Sequence, residues 1–357
     1  MARRRPRLPG EGGTSRRVRQ VGVPVERQGE VAEVDAGVLV KASQDGPLLV
    51  GVQPDDLGEG IGEAALRIPV LGKGGCDAGD GTVQAGYSRG MAAFLHLARA
   101  AHAGPTLVVT AAVALLARGF GGTLGEVVLV GLAVLAGQLS IGWSNDAIDA
   151  DRDRSVGRQD KPTVAGAVSV RTLTTAARVA LAAAVVLSLA LGAGAAAVHL
   201  LGGVAMGWAY NLGLKATAVS PAPYAVAFGT LPSVASLAVT ERWAPLWLTA
   251  AGAAIGVSAH IANTLPDLAE DAATGVRGLP HRLGERPSRW LAAGVLGGAV
   301  AVVLLGAGLS TAVLMAVTAA AALSIGFLLI GASSAALPSI MVLVLIILAV
   351  VGSRIAG

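Results

Sequence analysis

From Met91 onward the chain repeats apolar tracts of about 20 residues, the length a helix needs to cross a bilayer, and no other feature constrains its fold as strongly. The tracts run over 92–117, 123–144, 173–192, 195–212, 221–239, 244–265, 290–307, 311–331 and 335–352. Ala, Val, Leu and Gly dominate them, and small side chains let membrane helices pack closely where lipid removes any hydrophobic drive between them. Pro105, Pro221, Pro232 and Pro338 fall near tract ends or at positions suited to kinks. With 54% hydrophobic and 14% charged residues, the 357-residue chain is no ordinary soluble domain. The expected fold is an all-α membrane protein, a bundle of about nine transmembrane helices occupying residues 91–357.

A formal net charge of +4 would suggest nucleic acid in a soluble protein. Here the basic residues flank apolar tracts, so they are read as topology signals, and no nucleic-acid partner is expected. Cys76 is the only cysteine, which excludes an intrachain disulfide and a paired-thiol redox motif.

Residues 1–90 are a different material. They are rich in Gly, Arg, Asp and Glu and carry no sustained periodicity. The basic start Met1-Ala2-Arg3-Arg4-Arg5 is followed by Pro6, Pro9, Glu11 and Arg16 rather than an apolar stretch, so it is not read as a signal peptide. The expectation is a disordered polar extension with too little apolar surface to offset ordering entropy. A translation start at Met91, just before the first tract, is the other reading of the same break.

Charge between the tracts sets orientation. The second-to-third connection carries Arg152, Arg154, Arg158, Lys161 and Arg171, the fourth-to-fifth Lys215, and the sixth-to-seventh Arg277, Arg282, Arg286 and Arg289. The opposite side carries only Arg118, Arg242 and Arg354. The positive-inside rule therefore places the N-terminus and the heavily charged connections in the cytoplasm.

Two of those connections begin with an acidic motif. Asn145-Asp146-Ala147-Ile148-Asp149-Ala150-Asp151-Arg152-Asp153 closes the second tract, and helical spacing puts Asn145, Asp149 and Asp153 on one stripe. Asp146 joins that face, whereas Asp151 points away to solvent. Asn263-Thr264-Leu265-Pro266-Asp267-Leu268-Ala269-Glu270-Asp271 closes the sixth tract and repeats the stripe with Asn263, Asp267 and Asp271, with a kink expected at Pro266. Carboxylates one turn apart repel, and near hydrocarbon each costs about 2.5–3.5 kcal/mol, so something must compensate them. Mg²⁺ is held by one or two carboxylates together with substrate phosphates, so two facing ladders suggest metal ions bridging to a diphosphate. Asn145, Asp146, Asp149, Asp153, Asp267 and Asp271 are the candidate metal ligands. Arg158, Lys161, Lys215 and Arg277 follow on the same face, where they could pair with phosphate oxygens or simply mark topology.

These residues carry a resemblance. Asn145 to Asp153, continued by Gly157-Arg158-Gln159-Asp160-Lys161-Pro162 and Gly166, and Asp267-Asp271-Gly275, continued by Arg277-Gly278-Leu279-Pro280 and Leu283-Gly284, resemble the UbiA superfamily of intramembrane prenyltransferases, 4-hydroxybenzoate polyprenyltransferase-like proteins among them. The resemblance covers residues 91–357 and nothing before them. It implies a bundle with a cytoplasm-facing, laterally open cavity, with Asp149, Asp153, Asp267 and Asp271 catalytic through Mg²⁺. Asn145, Arg158, Lys161, Lys215, Arg277 and Tyr210 would bind the diphosphate. Family members carry Tyr then Lys in the fourth-to-fifth connection; Tyr210 and Lys215 are spaced one residue wider, and an interfacial anchor beside Trp208 is the other reading of Tyr210. The implied partners are a prenyl diphosphate, a lipophilic or aromatic acceptor and membrane lipid, at the plasma membrane of a bacterium.

His260 is expected to be a buried histidine satisfied by a neighbouring helix, and Trp143 an interfacial belt residue. The rival reading is a transporter or ion pathway, because intramembrane carboxylates also mark ion routes. Acids at helix ends on one face, rather than at mid-span, disfavour it.

Overall fold

The structure, a computed structural model, describes residues 32–34, 38–41, 49–52, 66–67 and 95–355. The chain divides into two units, Met1–Thr82 and Val83–Gly357. In the first, four short strands, β1 (Ala32–Val34), β2 (Val38–Lys41), β3 (Leu49–Val52) and β4 (Leu66–Arg67), pair antiparallel in chain order. Strands of two to four residues leave no period to read, so the sequence did not mark them. The expected disordered extension and the alternative start at Met91 otherwise fall outside the described residues.

In the second unit the described residues are helical throughout, apart from short connections. A short helix, α1 (95–100), precedes α2 (Ala103–Gly119); α3 (Leu124–Ser155) and α4 (Val170–Leu189) follow. Next come α5 (Ala193–Ala197) and α6 (Ala205–Leu212), joined by π-helical Val198–Val204, then α7 (Ala222–Thr240). α8 (Leu246–Thr264) passes through a 3₁₀ turn, Leu265–Asp267, into α9 (Leu268–Ala273), and α10 (Leu279–Leu283), α11 (Glu285–Gly306), α12 (Thr311–Ile330) and α13 (Ser333–Ile355) complete the order. Among the described residues, seven stretches are long and apolar enough to cross a membrane: Leu124–Ser155, Val170–Leu189, Ala193–Leu212, Ala222–Thr240, Leu246–Ala273, Glu285–Gly306 and Thr311–Ile330. Ala103–Gly119 is a shorter apolar helix, and α13 is apolar over Ser334–Leu348.

Two boundaries differ from the sequence reading. The tract expected at 92–117 is broken, because His102 adopts a left-handed conformation with φ 51° between α1 and α2. The tract expected to end at 144 instead continues as one helix of 32 residues. At 1.5 Å per residue α3 is about 48 Å long against a hydrocarbon core of about 30 Å, so it emerges from the membrane with its acidic end. A capping box fixes its other end: Thr123 Oγ1 accepts from the Glu126 N–H, and the Glu126 carboxylate accepts from the Thr123 N–H at 2.7 Å.

Neighbouring helices pack in chain order, α2 on α3, α3 on α4, α7 on α8, and α11 on α12. The last helix closes the bundle by packing on both α2 and α8. Ile261, Leu296, Leu328, Ile340 and Leu343 are among the most deeply buried side chains at its centre. Among the buried polar groups inside, Ser188 Oγ pairs with His199 Nδ1 at 2.7 Å.

Candidate active site

Both acidic stripes face one cavity of about 780 Å³. Asn145, Asp146, Asp149 and Asp153 line it from α3, and Asn263, Asp267 and Asp271 line it from the end of α8, the 3₁₀ turn and α9. The first stripe lies where helical spacing put it: Asp146, Asp149 and Asp153 are 1%, 5% and 2% exposed, while the Asp151 side chain is 96% exposed and pairs with Arg154. The second is interrupted as expected. Pro266 cannot donate to the helical ladder, and the α-helix gives way there to the 3₁₀ turn that carries Asp267.

Cations hold the carboxylates. Lys161 Nζ donates to Asp146 Oδ1 at 2.7 Å, and His102 Nε2 lies 3.3 Å from the same oxygen. Lys215 Nζ reaches Asp149 Oδ1 and Oδ2 at 2.5 and 2.7 Å. Arg152 Nη2 donates to Asp149 Oδ2 at 2.8 Å and stands 3.8 Å from Asp153 Oδ1. Across the cavity Arg158 Nη1 donates to Asp267 Oδ2 at 3.2 Å, and His281 Nε2 lies 3.5 Å from Asp271 Oδ2. Burial depresses the Lys215 ammonium below the usual lysine range, although Asp149 opposes the shift. Burial likewise lowers His281, against the pull of Asp271. The Arg158 guanidinium, hydrogen-bonded to Asp160, holds that carboxyl below the ordinary range.

The connections are braced to present these cations. Gly213, with φ 151°, ends α6 and turns the chain so that Lys215 rides on a 3₁₀ turn, Leu214–Ala216. That turn explains the wide Tyr210–Lys215 spacing, since the two residues do not share one helix. The loop after the second stripe packs against it: a Cβ on Gly278 would meet Lys215 O at 2.7 Å, and the Leu279 N–H donates to Ser220 Oγ at 2.9 Å. Ser220 Oγ also lies 3.0 Å from His260 Nε2.

Tyr210 lines the cavity, its ring edge-on to Tyr224 at 5.2 Å and to His260 at 5.6 Å. His260 is buried as expected, yet its Nδ1 has no hydrogen-bond partner among the described residues. One candidate is not brought in. Arg277 is exposed and is not among the cavity's lining residues; its carbonyl accepts from Arg282 Nε at 3.0 Å, because the turn after α9 directs it to solvent. Conversely, Arg152, His102 and His281 were not singled out from the sequence. Arg152 follows Asp149 by three residues and could have been read onto its face, but the two histidines arrive through long-range packing with no local signal.

Away from the charges the lining turns apolar. Leu248, Ala251, Gly252, Ile255 and Ala259 continue one face of α8 from Asn263 downward, opposite Val109, Val113 and Leu116 of α2 and Leu337, Ile340 and Val344 of α13. The arrangement is therefore a ring of paired carboxylates and cations at the mouth of a long apolar slot.

The family model for the UbiA prenyltransferase family matches residues 106–339, well over half of the chain. The chain belongs to the UbiA prenyltransferase family. It is an integral membrane protein and a prenyltransferase by that membership. Solved structures share the fold. A UbiA homologue from Archaeoglobus fulgidus bound to GPP and Mg²⁺ is 18% identical, with a TM-score of 0.54 covering 73% of this chain and 99% of that one. An apo UbiA homologue from Aeropyrum pernix K1 is 18% identical, with a TM-score of 0.60 over 67% and 94%. A digeranylgeranylglyceryl phosphate synthase structure is 15% identical, with a TM-score of 0.54 over 74% and 99%. No curated protein matches the chain.

Proposed function

We propose that this UbiA-family chain transfers a prenyl group from a prenyl diphosphate, with Mg²⁺, to a lipophilic or aromatic acceptor inside the membrane. One observation carries the reading: two Asn–Asp stripes from distant helices face each other across the polar mouth of a single apolar cavity. Solved relatives bound to GPP with Mg²⁺ and to DMAPP with Mg²⁺ support it.

The donor set suits Mg²⁺ shared with phosphates. Among the described residues no three His, Cys, Asp or Glu side chains converge as a metal cage of their own, and Mg²⁺ is ordinarily held by one or two carboxylates plus substrate oxygens. Asp153 Oδ2 is buried with no partner among the described residues, an oxygen available to a ligand. Asn145, Asp149, Asp153, Asp267 and Asp271 would hold the metal. When bound it neutralises the diphosphate and improves it as a leaving group. Lys161, Lys215 and Arg158 grip the phosphate oxygens and add to that neutralisation. The C–O bond breaks with its electron pair leaving on the diphosphate, and the acceptor attacks the allylic cation and releases the proton that the new bond displaces. The apolar face of α8 from Leu248 to Asn263, about 22 Å long, holds the tail and excludes water.

In this reading nine helices span the membrane, and the ladders, the N-terminus and the basic connections lie on the cytoplasmic side of a bacterial plasma membrane. The test is diphosphate release by purified protein given geranyl or geranylgeranyl diphosphate together with a panel of aromatic and lipophilic acceptors. Release should need Mg²⁺, vanish with EDTA, and be lost in Asp149→Asn and Asp267→Asn while both variants remain folded. Near-normal turnover in both variants would remove the metal role.

A further inference from the structure

A second cavity opens on the outer surface of the bundle and shares no lining residue with the first. It is a groove of about 680 Å³ between α3 and α4, floored by Ala136, Leu139 and Trp143 and walled by Thr175, Val179 and Ala183. Its surroundings face lipid, since Val179, Val186 and Leu189 of α4 are all more than half exposed. Trp143 is fixed in place, its indole N–H donating to the Leu97 carbonyl at 2.9 Å.

Arg171 lines the end of the groove near the aspartate ladders. Arg178 is not itself a lining residue, but it follows seven residues later, so helical geometry sets it beside the groove on the edge of α4 that carries Arg171, about 10 Å deeper. Both arginines are exposed, and among the described residues neither enters an ion pair. An unpaired guanidinium on a lipid-facing helix requires compensation, which snorkelling supplies by lifting its head toward phosphates. Length agrees with charge. The helix from Arg171 to Ala183 measures about 18 Å, against about 15 Å for one leaflet of a core about 30 Å thick.

We infer that this groove binds one anionic phospholipid from the leaflet on the ladder side. Its phosphate is held by Arg171 and Arg178, whose forks match phosphate oxygens, with the Thr175 hydroxyl between them. One acyl chain lies against Trp143 and Leu139 and ends near Ala136 and Ala183. A zwitterionic lipid offers the same tail but sets its own cation against the two arginines, so the site discriminates by headgroup.

The experiment uses the full chain in nanodiscs containing phosphatidylglycerol and phosphatidylcholine, released into detergent and read by native mass spectrometry. One phosphatidylglycerol should remain bound. Arg171→Gln/Arg178→Gln should reduce its retention by roughly 30-fold, at about fivefold for each basic residue near the membrane surface. Arg282→Gln/Arg286→Gln, which removes as much charge elsewhere, should not. Ala183→Leu keeps both arginines but fills the tail slot, and it should also reduce retention. Diphosphate release at the wild-type rate reports that each variant is folded. Equal retention of the two lipids, equal loss in the two double variants, or full retention in Ala183→Leu would each overturn the assignment.

Discussion

Arg158 and Asp267, 109 residues apart in the chain, meet at 3.2 Å between Nη1 and Oδ2 and so tie the loop after the first acidic stripe to the second stripe. The same guanidinium holds Asp160 at 3.1 Å and stands 3.8 Å from Glu270. Arg158→Gln should therefore lower kcat/KM for the prenyl diphosphate by about 10²-fold, the order seen when a preorganised donor to developing negative charge is lost. Arg158→Lys should recover only part, because an ammonium supplies the charge without the fork. Stability should change by less than about 1 kcal/mol, since Asp267 is more than a third exposed. Kinetics and thermal unfolding on the same preparations check both halves, and a large loss of stability with normal kinetics would refute the assignment.

Lys215 and Asp149 form a second cross-link, with Asp149 buried and the Lys215 side chain only 11% exposed. Removing one partner of a buried pair costs about 3–5 kcal/mol, much of it from the charge left behind. Arg152 also touches Asp149 and should offset part of that cost. Lys215→Met alone is expected to destabilise clearly, and Lys215→Met/Asp149→Asn to be more stable than the sum of its single variants. Unfolding measurements around the four-member cycle test this; strict additivity would mean that the pair contributes nothing.

The stripes were legible in the sequence because a helix reports its buried face through a fixed period. Asp149 and Asp153 went in, Asp151 went out, and Pro266 marked the break before Asp267. What the sequence concealed was long-range. His102 reaches Asp146 only because the chain turns left-handed between α1 and α2, and nothing in the residues around it announces that turn. His281 meets Asp271 because the turn after α9 brings α10 back into contact with it. Arg277 lies away from the stripes for the complementary reason: closeness to the motif in sequence says nothing of direction once the helix has ended, and it is exposed. The strands in the first unit are too short to carry a period at all.

Glycines set how closely two helices that line the slot, α7 and α8, approach. A Cβ on Gly256 would clash with Tyr224 O and lie 2.8 Å from Phe228 Cβ, and one on Gly252 would lie 2.6 Å from Phe228 O. The obstacle is backbone, which cannot rotate aside. Gly256→Ala should therefore force α7 and α8 apart at a cost of about 1–3 kcal/mol and widen the slot beside Tyr224. Gly294→Ala, where a Cβ meets nothing within 4 Å, should leave the unfolding temperature unchanged or raised, since alanine favours the helix. Equal unfolding temperatures for the two variants would contradict close packing at this crossing.

The sequence left Tyr210 open between a diphosphate ligand and an interfacial anchor beside Trp208, and its place in the cavity adds a third role, a wall of the slot. As a phosphate ligand it would act through its hydroxyl; as a wall of the slot it acts through its ring. The edge-on contacts with Tyr224 and His260 favour the wall, since each such pair contributes about 0.5–1.5 kcal/mol beyond its buried area. Tyr210→Phe keeps both contacts and should retain stability and most of the turnover. Tyr210→Ala removes both, and should lower the unfolding temperature and raise KM for the prenyl diphosphate as the tail loses its support. The comparison is decisive in one direction. If Tyr210→Phe fails as badly as Tyr210→Ala in kinetics while unfolding like the parent, the hydroxyl carries the function and the ring is only its mount.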